Sequence, residues 1–377
     1  MLYVLSRFSK KQGGDKIMIT DCSKVNYVLS SSKLNLYSNI PMLLEYTTEA
    51  ILVATTNNKL EKISKISADD FEYSILYAQD EDTLYDFLHK MHSNNIRVGI
   101  IHISNPLFEE MLKYGNGATW YSACRNGIFS YLPLIQKYAT KPTTILCFDN
   151  DAPMVEQAKT MCANTTIDVY KCVAHSICSC SDYDAESHSV RLYGGHECYL
   201  YFPPEAQIIK SSLYNPVEAM SKRAQLRFSE SIEEFSFYTK SKLIDVNALH
   251  TMICALAYVK GSQKGFSLSS ISNMHFGELL DKSTIQTCII ELHSDLFDKH
   301  LQAIAMKIGE CKEFHSKLAY DFIEYLFTSD KENVGRGLDC SANSYDSKLK
   351  RHLPLLNSAE NAYTNQILSR FCQLLQM

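Results

Sequence analysis

Lys242, Asn247 and His250 stand close together in the run Ser-Lys-Leu-Ile-Asp-Val-Asn-Ala-Leu-His. Their types suit proton removal from an alcohol. A lysine becomes a usable general base when an apolar site depresses its pKa. An asparagine donates to a developing alkoxide or carbonyl oxygen without changing charge, and a histidine donates or relays. At about 100° per residue, with Lys242 at zero, Asn247 falls near 140° and His250 near 80°. One helix would therefore project all three from less than half of its circumference. The same trio also fits a solvated stripe on an amphipathic helix, so the neighbourhood has to decide.

That neighbourhood carries a resemblance. Lys-x4-Asn-x2-His, followed by Thr-Met-Ile-Cys-Ala-Leu-Ala-Tyr-Val-Lys-Gly, resembles the substrate-domain signature of the polyol-specific long-chain dehydrogenases, which include mannitol-1-phosphate 5-dehydrogenase, mannitol 2-dehydrogenase and the hexuronate reductases. Ile145 to Asn150 resembles that family's strand ending Cys-Glu/Asp-Asn. Ser122 to Ile135, Asn333 to Arg336, and Ser347 to Leu355 resemble further segments in the same order, so the likeness spans roughly 118 to 356. It implies a Rossmann-like, mainly parallel sheet domain followed by an all-helical substrate domain. It also implies hydride transfer between the carbinol carbon of a polyol, polyol phosphate or sugar acid and NAD or NADP. Lys242 would be the base, Asn247 and Asn150 would hydrogen-bond the substrate oxygen, and His250 would orient the substrate or Lys242. Ser122, Ala123 and Asn150 would lie against the cofactor, and Arg336 and Lys348 would hold a phosphate or carboxylate.

The chain departs from the family at its start. No Gly-x-Gly-Asn loop follows an N-terminal strand, cysteine stands at Cys124 where the family has glycine, and Val173-Ala174-His175-Ser176-Ile177 lacks the family's acid and arginine. Fourteen glycines are few for an enzyme that cradles phosphates. A non-catalytic relative that uses the scaffold to bind a metabolite or a protein is therefore the second reading.

The elements that would position these residues change character along the chain. Up to about 205, short β-rich runs alternate with helical stretches: Leu2–Leu5, Lys16–Thr20, Ala50–Thr55, Tyr73–Tyr77, Arg97–Ile103, Thr119–Ala123 and Thr144–Phe148, with helices expected at Glu81–Met91 and Gly127–Tyr138. This pattern predicts a parallel sheet covered on both faces. Val190–Tyr193 and Cys198–Phe202 read as further strands. From 217 to 377 the apolar spacing is helical, over 217–240, 242–260, 274–306, 309–328 and 358–376. The expected units are thus an α/β domain over 1–205 and a helical domain over 217–377.

Bulk composition narrows the classes. Hydrophobic residues make up 46% and charged residues 21% of the 377, as in a globular protein. A net charge of -5 argues against nucleic-acid binding. No apolar run reads as a membrane span, and the first residues do not read as a signal peptide. Thirteen scattered cysteines suit reduced thiols in a cytoplasm. Cys172, His175, Cys178, Cys180, His188, His196 and Cys198 crowd together, but without a pair of Cys-x2-Cys knuckles they are not expected to hold a metal. The oligomeric state is not legible.

Overall fold

The computed structural model describes residues 25–30, 50–55, 63–68, 71–78, 98–102, 109, 119–122, 127–139, 142–148, 152–176, 180–193, 198–209, 224–328, 333–335 and 352–375. Among the described residues the larger sheet has ten strands. Six of these form an uninterrupted parallel core: β5 (Val98–His102), β2 (Ala50–Thr55), β1 (Val25–Ser30), β6 (Thr119–Ser122), β7 (Thr143–Cys147) and β8 (Ile167–Lys171). Read along the chain, that order is 3-2-1-4-5-6. β4 (Phe71–Ala78) adds a further parallel strand beside β5, and β3 (Lys65–Ala68) pairs antiparallel with β4. The far edge comes from much later in the chain. β11 (Ser189–Tyr193) pairs parallel with β3, and β10 (Cys180–Asp184) closes a hairpin onto β11. The Ser64 hydroxyl donates to the carbonyls of Ser187 and His188, tying that hairpin down.

Burial follows the pattern expected of a sheet covered on both faces. Ile145, Leu146 and Cys147 are consecutive and all buried, and α1 (Gly127–Tyr138) and α2 (Ala152–Cys162) bury Leu132, Ile135, Val155 and Ala158. The sequence pattern predicts β2, β4 to β7, β11, the strand Cys198–Phe202 and α1. The first parallel strand, Val25–Ser30, went unread because Asn26 and Ser30 break its apolar run. The expected strands at 2–5 and 16–20 and the helix at 81–91 lie outside the described residues.

A second, three-stranded sheet joins the two halves of the chain. β12 (Cys198–Phe202) pairs antiparallel with β9 (Val173–Ser176) and parallel with β13 (Ala224–Phe228). β13 corrects the sequence reading, which made 217–240 helical. Ala224, Leu226 and Phe228 alternate with Gln225 and Arg227, a period of two that a helical window averages away. The helix begins only at Ile232, where the Ser231 hydroxyl accepts from the Glu234 amide at 3.1 Å.

The helical half is built around one long rod. α3 (Ile232–Lys242) runs through a π-helical segment, Leu243–Ala248, into α4 (Leu249–Gln263). Met252 to Val259 are buried at every position, the mark of a helix wrapped on all sides. Its neighbours are α5 (Leu268–Ser272), α6 (Phe276–Leu279), α7 (Lys282–His300), α8 (Gln302–Ile308), α9 (Lys312–Thr328) and α10 (Ala362–Leu374). Gly261 lets α5 approach: a Cβ there would lie 2.7 Å from Ile271 Cγ1. The rod, 32 residues long, is apolar enough to cross a membrane by length and composition, contrary to the sequence reading; 72% of the apolar window is buried inside the fold, so it serves here as a core helix. Val173, Tyr199 and Tyr201 of the small sheet belong to the same apolar core as this rod.

Candidate functional site

The parallel strands all end at one edge of the sheet. Strand order reverses between β1 and β6, with β2 and β5 on one side and β7 and β8 on the other. In open α/β sheets the crevice outside the strand ends at such a reversal is where ligands bind. Ser122 is the last residue of β6 and pairs with Leu29 of β1 and Cys147 of β7, so the structure places its backbone at that crevice. Ala123 and Asn150, expected beside it, lie outside the described residues, as do Arg336 and Lys348. The chain just before Arg336 is fixed: Val334 is buried and its amide donates to the Met274 carbonyl at 3.0 Å.

Lys242, Asn247 and His250 share the central rod, and each is half-buried. The rod is not a plain α-helix at this point, so the 100° spacing does not hold through Leu243–Ala248. The His250 ring packs against Phe322 at 5.3 Å and Phe276 at 6.2 Å between centroids, an aromatic setting in the helical core. The Asn247 carbonyl accepts from the Thr251 hydroxyl at 3.1 Å, and that hydroxyl lies 2.7 Å from His352 Nδ1. His352 thus ties the C-terminal segment to the turn carrying Asn247.

A buried polar cluster around Asp245 lies outside what the sequence pattern pointed to. Asp245, three residues after Lys242, is fully buried. His293 Nε2 of α7 lies 2.9 Å from its Oδ1, and His315 Nδ1 of α9 lies 2.7 Å from its Oδ2. His175 of β9 brings Nε2 to within 3.9 Å of Oδ2. The network continues outward: His315 Nε2 is 3.7 Å from Glu310 Oε2, and Glu310 Oε1 accepts from the Tyr238 hydroxyl at 2.8 Å and from Arg227 at 3.0 Å. Arg227 lies over the Tyr199 ring at 5.0 Å and remains partly exposed.

Protonation follows from these contacts. Burial works against charge on His315, but hydrogen bonds and attraction from Asp245 and Glu310 outweigh it and raise the imidazole to about 9. Burial dominates at His175, and the nearby Lys242 and His315 charges add to it; Asp245 only partly opposes them, and the ring falls to about 4. Burial would raise the Asp245 carboxyl, yet its hydrogen bonds from His293 and His315 hold it below the ordinary value. At neutral pH the cluster therefore holds an Asp245 carboxylate, a His315 imidazolium and a neutral His175.

Of these residues only His175 belongs to the Cys/His run noted in the sequence, a run not expected to hold a metal. Cys172, three residues earlier, is a buried thiol, and its amide donates to the Cys147 carbonyl. Among the described residues no three His, Cys, Asp or Glu side chains are grouped so as to hold a metal ion. His293 and His315 lie 48 and 70 residues from Asp245 in the chain. No local spacing could have joined them.

The strand order and the appended helical half define a Rossmann-type α/β domain followed by a helical domain. No family model and no curated protein matches the sequence. Solved structures similar over most of their length include a probable 2-dehydropantoate 2-reductase from Bacillus subtilis (11% identity, 93% of this chain and 99% of that one, TM-score 0.44). Two others are yersinopine dehydrogenase with NADP+ bound (9%, 94% and 91%, 0.48) and octopine dehydrogenase with NADH and agmatine (9%, 93% and 89%, 0.47). The fold assignment stands on the strand order rather than on these distant likenesses.

Proposed function

We propose that the chain is an NAD(P)-dependent oxidoreductase that interconverts an alcohol and its keto form, the alcohol being a polyol, a polyol phosphate or a sugar acid. The observation that carries this reading is the 3-2-1-4-5-6 parallel order with its reversal between β1 and β6, the arrangement that dinucleotide enzymes use. Residues 1–205 would supply the dinucleotide crevice and 217–377 the substrate residues, with β13 lent to the small sheet between them. The residues that follow β1 would have to meet the pyrophosphate. No glycine occurs between Gly14 and Gly99, so Ser30-Ser31-Ser32-Lys33 would offer hydroxyls and an ammonium where glycine amides are usual.

The nicotinamide would supply the hydride acceptor. Lys242 would take the hydroxyl proton during oxidation and return it during reduction. Asn247 and Asn150 would donate to the substrate oxygen as charge develops there. Ser122 and Ala123 would line the cofactor side, and Arg336 and Lys348 would hold an anionic group of the substrate. His250, packed among phenylalanines, would act by fixing the helix rather than by touching substrate. Reduced cysteines such as Cys147, Cys172 and Cys254 suit a cytoplasmic setting.

The missing glycines favour a second reading, a non-catalytic relative that uses the crevice for another metabolite or for a protein. Titration with NAD(H) and NADP(H), followed by fluorescence and thermal shift, separates the two. Binding followed by turnover of a polyol, polyol phosphate or hexuronate supports the enzyme. No binding at millimolar dinucleotide removes it and leaves the second.

A further inference from the structure

The π turn at Leu243–Ala248 lies immediately after Lys242, and the surroundings that hold it can be named. A π turn takes up one more residue than an α turn and is uncommon, occurring mostly as single turns inside α-helices. Here its buried Asp245 is fixed from α7 by His293 and from α9 by His315, at 2.9 and 2.7 Å, with His175 of β9 facing the same carboxylate at 3.9 Å. α3, which ends at Lys242, packs against β9, the strand of His175, and Glu310, Tyr238 and Arg227 lie beyond His315.

The effect on register can be read on α9. Asp245 and His250 are five residues apart, which a plain α-helix would set about 140° apart. Both nevertheless contact α9, Asp245 at His315 and His250 at Phe322. His315 and Phe322 are seven residues apart, about two turns, and so lie on one face of α9. Taking one residue up in the π turn removes about 100° of rotation and brings Asp245 and His250 to within about 40° of each other.

We propose that Asp245, clamped by His293 and His315, is a positioning residue that holds the π turn and so sets the rotation of Lys242 relative to α4. Without the clamp the segment relaxes to α-helix, and the two halves of the rod turn by about 100° relative to each other. α3, with Lys242 at its end, then turns against β9 while His250 stays packed against Phe322. The consequence for catalysis rests on the dehydrogenase reading; the consequence for register does not.

Asp245→Leu, of similar bulk but with no acceptor, and Asp245→Asn, which keeps one acceptor and gains a donor, test this. Crystal structures of both variants read the backbone hydrogen bonds of 243–248. The leucine variant is expected to lose the i→i+5 bonds and the asparagine variant to keep them. Should Asp245→Leu fail to fold, the triple variant with leucine at 245, 293 and 315 is read instead, since apolar replacement of a whole buried ionic cluster is often tolerated. A π turn that persists in a folded protein lacking the clamp overturns the proposal. In turnover, Asp245→Leu is expected to lose about 10²-fold in kcat with dinucleotide affinity within twofold, because the base is displaced while the crevice is intact. Partial recovery in Asp245→Asn separates positioning from a general loss of structure. A wild-type protein that binds no dinucleotide would defeat the dehydrogenase reading, and the hydrogen-bond pattern would still decide the register.

Discussion

Asp245→Asn should destabilise the protein in a way that depends on pH. In the native protein His315 is raised from 6.5 to about 9, so the folded state holds a proton that the unfolded chain releases above about 6.5. That stabilisation is fully present below pH 6.5 and is lost as pH rises through 9. At about 1.4 kcal/mol per pH unit it amounts to roughly 3 kcal/mol, a large share of a typical net stability of about 5–15 kcal/mol. His175 has the opposite sign: lowered to about 4, it opposes folding progressively as pH falls from 6.5 towards 4, because the unfolded chain takes up a proton that the native ring refuses. Wild-type stability should therefore peak near pH 6.5. Asparagine offers no charge, so of the two carboxylates only Glu310 still favours the imidazolium against burial, and the alkaline decline becomes smaller. Urea denaturation of both proteins from pH 5 to pH 10 should give a difference of up to about 3 kcal/mol near pH 6.5 that shrinks towards pH 10. A difference that stays constant from pH 6 to pH 10 would refute the assignment of the proton to His315.

Three further predictions concern other parts of the fold. Lys242→Ala should lower kcat by about 10²–10⁴-fold with dinucleotide affinity little changed; single-turnover kinetics with an accepted substrate check it, and an unaltered rate removes Lys242 as the base. Gly261→Ala should cost about 1–3 kcal/mol, because the added methyl would lie 2.7 Å from buried Ile271, and a thermal midpoint equal to wild type would contradict that packing. Ser231→Ala removes the cap on α3 and should cost about 1 kcal/mol in urea, with Ser231→Thr restoring much of it.

Much of the sheet was legible because short runs of β-branched and aromatic residues, such as Ala50–Thr55 and Cys198–Phe202, stand out against polar flanks. Val25–Ser30 was missed for want of that contrast, and Ala224–Phe228 because its alternation sits directly before a helix. At the site, the chain showed that Lys242, Asn247 and His250 share a helix but not that the helix carries a π turn. A π turn has no local signature here; it depends on Asp245 meeting His293 and His315 from two other helices. Burial also settles what composition leaves open, as at His250, whose ring meets Phe276 and Phe322.

The outer edge of the large sheet has a consequence for how the chain is made. β3 is sealed on one side by β4, a near neighbour, and on the other by β11, more than a hundred residues later. During synthesis β3 therefore waits, with an open row of backbone donors and acceptors, until Ser189–Arg191 has been translated. Long-range pairings of this kind fold slowly and expose unpaired strands to other chains. A fragment ending near residue 175, although it contains every strand of the parallel core, should associate through that edge, whereas one extending past residue 193 carries its own seal. The strand left outermost, Cys180–Asp184, ends on the exposed Asp184, and a charge on an edge discourages a second chain from adding to the sheet.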